Sequence, residues 1–176
     1  MKPLAVTLAL PLLLAAGPAL KSTPELGKAE GRCRAGEPGP ALLVEAAGMK
    51  DRTGNMKLEI YPGNDQDFLA DDNVLVAAGK TFRRVEVPVP QAGPVVLCVR
   101  IPGPGTYAVS VLHDRNMDRR FQWKIDGIGF SSNPKLGWGK PSVKNSRVVV
   151  NSGGVSKIAV MMNYRNGLGV APLKNN

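Results

Sequence analysis

Pro94-Val95-Val96-Leu97-Cys98-Val99-Arg100-Ile101-Pro102-Gly103-Pro104-Gly105-Thr106-Tyr107-Ala108-Val109-Ser110-Val111-Leu112 is the stretch that decides the fold. Val95, Leu97, Val99 and Ile101 fall on one face of an extended chain. Tyr107, Val109 and Val111 do the same after a Pro-Gly-Pro-Gly connection. Two period-two runs separated by breakers describe two half-buried strands. Cys98 points away from the face that carries Leu97 and Val99.

The same signature recurs on both sides. Upstream, Ala41–Ala46 is a short apolar run, and Leu58 and Ile60 alternate within Lys57–Tyr61. With the turn residues 50–55 between them, these two runs read as a hairpin. Arg83–Pro90 alternates through Val85, Val87 and Val89, and its prolines suit an edge strand. Asn64–Ala70 differs: Asn64 can cap a helix and two acids follow, so one or two helical turns are expected. Downstream, Arg147–Val150 and Ser156–Met162 flank Ser152-Gly153-Gly154, a candidate hairpin turn. About seven strands at this spacing, with no long helix, predict an all-β sandwich over 41–165. A tail follows over 166–176. Aromatics at 5% and 20 Gly with 15 Pro fit that class.

The N-terminus is read separately. Met1-Lys2, the apolar run 4–16 and Gly17-Pro18-Ala19 have the three-part layout of a secretory signal, residues 1–19. A permanent anchor needs ~20 apolar residues, and Pro11 interrupts this run. No other stretch is long enough to span a bilayer, so no transmembrane segment is expected in the mature chain. Residues 20–40 are a polar, breaker-rich leader that only Cys33 would tie down. Export to the periplasm or outside puts Cys33 and Cys98 in an oxidising space, where an even pair bonds. Closing so long a loop stabilises by roughly 4 kcal/mol. The bond would lie outside the main core, because Cys98 faces away from it. A metal pair is a poor alternative with one His and no CxxC.

Net charge is +9, or about +8 without Lys2. For an exported chain the anionic partners are envelope polymers or lipid surfaces, with nucleic acid excluded by compartment. The charge is concentrated between His113 and Arg147, a long irregular segment with no good strand. Eight Lys/Arg stand there against three Asp, about +5. His113, Arg115, Arg119, Arg120, Trp123 and Trp138 are therefore the ligand-binding candidates. The bland alternative has both Trp packing the loop onto the sandwich.

Asp114, Asn116 and Asp118 alternate like the first ligands of a calcium loop. The match then fails, because Arg119 stands where a Gly is needed and Asp126 comes one step late. Asx turns that bond local backbone are the competing reading. Cofactors are thus expected to be none, with calcium at Asp114, Asn116, Asp118 and Asp126 as the alternative.

Gly105-Thr106-Tyr107-Ala108 leading to His113-Asp114-Arg115-Asn116, followed by Gly129-Phe130-Ser131-Ser132-Asn133-Pro134, resembles exported bacterial proteins grouped as domain of unknown function 2141. The resemblance covers roughly 41–164. It implies an immunoglobulin-like or prealbumin-like sandwich and carries no activity. Met117-Asp118-Arg119-Arg120 departs from the family's Asn-Gly pair. For a hydrolase, His113 would be the sole imidazole base, with Asp114 pointing to the opposite side of the strand. A non-enzymatic binding module is therefore expected, with a cryptic carboxylate hydrolase as a second alternative.

Overall fold

The period-two runs become strands, and strands with one apolar face must stack. The structure, a computed structural model, describes residues 19–174. The expected signal peptide thus lies, but for Ala19, outside the described residues. Ten strands occur among them: β1 Ala41–Ala47, β2 Asn55–Pro62, β3 Arg83–Pro88, β4 Val96–Arg100, β5 Gly105–Asp114, β6 Gly127–Phe130, β7 Arg147–Val150, β8 Val155–Met161, β9 Asn163–Asn166 and β10 Gly169–Pro172. Two short helices, α1 Lys28–Gly31 and α2 Asp72–Ala77, complete the frame.

The strands form an all-β sandwich of two sheets. The smaller has the order β4-β1-β8, with β1 and β8 parallel. The larger runs β10-β9-β6-β5-β2-β3, and β7 pairs with the first half of β5. Leu42, Val44, Leu58, Ile60, Leu97, Val99, Val109 and Val111 meet between the sheets, fully buried. Each such side chain contributes roughly 1.5–3 kcal/mol on leaving water.

Several expectations are corrected. Neither expected hairpin forms. β1 lies in the small sheet and β2 in the large one, and β7 and β8 are divided likewise. An arch sends the second strand to the opposite layer, which buries the same apolar faces as a hairpin would. The expected irregular segment contains β6, paired with Ser110–His113 of β5. Gly127 and Gly129 hid it, because half of its side chains are missing. The reason is spatial: a Cβ on Gly129 would lie 2.5 Å from Val160 Cγ1, and one on Gly127 would collide with the Tyr164 ring. The expected tail carries β10, which closes a hairpin with β9 through Gly167–Leu168. Helix formation is displaced too. Asn64 caps a single turn by accepting from Asp67 N at 3.0 Å, Leu69 ends it at φ 60°, and the helix starts at Asp72.

Cys33 and Cys98 are bonded, 65 positions apart and half-buried outside the inter-sheet core. The leader has further ties. Arg84 N donates to Gly27 O at 3.1 Å, and Arg84 Nη1 donates to Thr23 O at 3.1 Å.

A second apolar cluster covers part of the outer face of the larger sheet. Tyr61, Phe68, Phe82 and Phe130 meet edge to face with centroids 5.6–5.9 Å apart, beside Leu75 and Val143. The basic stretch 113–147 supplies β6 and, through Phe121, Trp123, Leu136, Trp138 and Lys140, lies against the outer face of the larger sheet.

Candidate functional site

The side chains of β5 that point away from the inter-sheet core decide where a ligand can reach the molecule. Ser110 and Leu112 point outward there, beside Ile128 and Phe130 of β6 and Lys57 and Glu59 of β2. This strip floors a cleft of about 590 Å³. Phe121 and Trp123 wall it on one side, and Leu136, Trp138 and Lys140 belong to another wall. Leu168 and Val170 of the last hairpin also line it. Trp138 is 84% exposed and Leu168 74%, so the walls carry bare apolar surface. Trp123 is only just exposed, with Arg165 5.1 Å and Lys124 5.8 Å from its ring centre.

The charged floor is held by an ion network. Arg84 Nε donates to Glu59 Oε1 at 2.8 Å, and its Nη2 donates to Asp72 Oδ2 at 2.9 Å. Tyr61 Oη donates to Glu59 Oε2 at 2.7 Å. Burial, with the Glu59 charge beside it, pushes the Tyr61 hydroxyl well up. Burial pushes Asp72 up, but hydrogen bonds from Ser22, Arg84 and Asn73 outweigh it and leave the carboxyl below its ordinary value.

The sequence candidates divide between three places. Trp123 and Trp138 line the cleft. His113 is fully buried, on the other side of β5 from Leu112. Its Nε2 faces Thr53 O at 2.8 Å, so that nitrogen carries the proton. Nδ1 therefore accepts from Tyr164 Oη at 2.7 Å. Burial holds the imidazole below its ordinary pKa and raises Tyr164 to about 12. Arg115 clamps Asp51 at 2.5 and 2.8 Å. Burial raises Asp51, but hydrogen bonds from Arg115 and Thr53 win and bring it to about 2. Arg119 pairs with Glu86. Arg120 is exposed, with no carboxylate partner among the described residues.

Asp114, Asp118 and Asp126 converge, with one oxygen of each within 4.8 Å of the others. All six oxygens already accept hydrogen bonds. Asp114 takes Asp118 N and Arg119 N, at 3.2 and 2.7 Å. Asp126 takes Arg115 N and Gln122 N, at 3.0 and 2.8 Å. Asp118 takes Arg120 N at 2.9 Å and the amides of Asn116 and Gln122. Asn116 donates its side-chain amide to Asp118 Oδ2 at 3.0 Å. The arrangement ties a cationic loop into shape by charge-assisted bonds.

The second half of the resemblance is equally local. Ser131 Oγ donates to Ser146 O, and Ser132 Oγ donates to Arg147 O at 2.7 Å. Asn133 bonds Ala159 O at 3.1 Å and Met161 N at 2.7 Å, and so covers the free edge of β8 as a strand residue would. Residues 44–158 match the model of a family described as an uncharacterized protein conserved in bacteria (DUF2141). The chain belongs to this family. No curated protein and no solved structure matches it. His113, Asp114, Ser131, Ser132 and Asn133 fasten the loop, while the cleft is built by Phe130 and by residues between and beyond these segments.

Phe121, Leu136, Lys140, Leu168 and Tyr164 were not singled out from the sequence. The alternation Phe121-Gln122-Trp123 places two rings on one side, and Asn166-Gly167 is a hairpin signal that brings in Leu168.

Proposed function

We propose that the protein is an exported, non-catalytic binding module of the cell envelope that takes its ligand in the cleft on the outer face of the larger sheet. The observation that carries this is a 590 Å³ concavity lined by two Trp, with exposed apolar side chains on its walls. Binding sites are concave and mainly apolar, with a few polar groups that orient the ligand. The disulfide suits an oxidising compartment, and no described helix is long and apolar enough to cross a membrane. Among the described residues Glu59 is the one acid on the cleft lining, and Arg84 and Tyr61 engage it, which favours binding over carboxylate-pair hydrolysis.

Retention on peptidoglycan sacculi and on anionic vesicles, measured across a salt series, tests the proposal. Binding to one of them is expected, with a loss of about tenfold in Trp138→Ser/Leu168→Ser. Retention that is absent, or indifferent to that double substitution, refutes it.

A further inference from the structure

The chemistry of the cleft narrows its ligand. The charged groups of its floor are already engaged. Lys57 Nζ donates to Arg119 O at 3.0 Å and pairs with Glu59 at 3.5 Å, and Glu59 is held by Arg84 and Tyr61. A sugar's hydroxyls would find few free partners there, whereas a methylene chain needs none. The cations bordering the cleft differ in that no carboxylate among the described residues neutralises them. Lys140 Nζ rests on the carbonyls of Phe68 and Asp65, at 2.8 and 3.3 Å. Arg165 and Lys124 lie over Trp123. None of the three has a carboxylate within 4.0 Å among the described residues.

Resting on the reading of the cleft as a ligand site, we propose that its ligand is an anionic amphiphile. A single aliphatic chain lies along the apolar floor of Leu112, Ile128 and Phe130, and a carboxylate or phosphate headgroup meets Lys140, while Arg165 over Trp123 adds to the positive potential. A volume of about 590 Å³ suits one chain held in a concavity.

The chain's two Trp both line the cleft, so intrinsic fluorescence reports from its walls. Laurate and dodecyl phosphate are titrated below their micellar concentrations, alongside methyl laurate and an oligogalacturonate. A saturable blue shift with laurate or dodecyl phosphate is expected, and the tighter of the two identifies the headgroup. Methyl laurate should bind at least tenfold more weakly, and Lys140→Glu and Arg165→Glu should each weaken the anions about tenfold. Arg165 is exposed, hydrogen-bonds only within its own turn and lies over the Trp123 ring, away from the fasteners of the loop, so its substitution, read against its own ligand-free spectrum, keeps the test valid if Lys140→Glu disturbs the loop. Equal affinity for methyl laurate overturns the proposal. A response to oligogalacturonate alone overturns it while leaving the cleft as the binding site. No response to any probe removes both.

Discussion

Arg84→Met removes the cation that holds two carboxylates under the leader. Arg84, Glu59 and Asp72 are each less than a tenth exposed. In the variant Glu59 keeps Lys57 at 3.5 Å and the Tyr61 hydroxyl. Asp72 keeps the Asn73 N–H at 2.6 Å and its bond from Ser22, and has no remaining cation. Breaking a buried pair by deleting one partner costs about 3–5 kcal/mol, because a charge stays buried without compensation. At ~2–4 °C per kcal/mol for a chain of this size, Tm should fall by roughly 6–20 °C. Urea denaturation at pH 7 measures the loss directly. The pH dependence separates this cause from simple cavity formation. In the native protein Asp72 titrates below its ordinary value. It therefore adds stability above its unfolded pKa, and that stability is lost as pH falls through the lower folded value. In the variant the folded carboxyl prefers to be neutral, so its penalty is present at pH 7 and relieved toward pH 4. The deficit between variant and native protein should shrink as pH falls. A loss below about 1 kcal/mol refutes the reasoning, as does a deficit that stays constant from pH 7 to pH 4.

Cys33→Ser/Cys98→Ser should cost roughly 4 kcal/mol in urea denaturation, and dithiothreitol should bring the native protein to the same midpoint. Because burial keeps His113 below its ordinary pKa, the unfolded chain binds the extra proton first, and stability should decline as pH drops below about 6.5. His113→Gln should flatten that decline between pH 8 and pH 5, and an unchanged slope would assign the acid sensitivity elsewhere. Asp114→Ala forfeits two backbone amides and should destabilise by about 1.5–3 kcal/mol. Calcium and a chelator should leave the Tm of the native protein where it is, and a calcium-dependent rise of several degrees would turn the carboxylate cluster from loop fastener into metal site.

The period-two faces were legible because burial in a sandwich is a local property of each strand. Leu58 with Ile60, and Leu97 with Val99, announce their inward side wherever their neighbours turn out to be. Topology was not legible, since an arch and a hairpin present the same breakers between the same faces. Lys50–Asn55 and Ser152–Gly154 join different sheets, a fact that only pairing partners far along the chain reveal. β6 was silent because its two glycines are the space into which Tyr164 and Val160 fit. The charge of the basic loop is legible as a sum, whereas the partners of its arginines are not. Arg115 and Arg119 are engaged by Asp51 and Glu86, which lie 64 and 33 positions away. Of the cleft, Trp123 and Trp138 were visible as exposed-aromatic candidates among cations. Leu168 and Val170 reach it only through the unexpected last hairpin.

The adjacent His113 and Asp114 look like catalytic partners in sequence, and the strand beneath them explains why they act apart. Neighbours on β5 point to opposite sides. His113 goes inward to Tyr164 and the Thr53 carbonyl, and Asp114 caps the amides of Asp118 and Arg119. One ties β5 to β9, and the other shapes the start of the 115–126 wall. Ser131, Ser132 and Asn133 then fasten the beginning of the second wall to Ser146, Arg147 and β8. The residues that form the cleft, Phe121, Trp123, Leu136 and Trp138, lie in the spans between these fasteners and carry few bonds to the sandwich. Substituting a fastener should therefore cost stability and cleft shape together, whereas substituting a span residue should change what the cleft accepts at little cost to the fold.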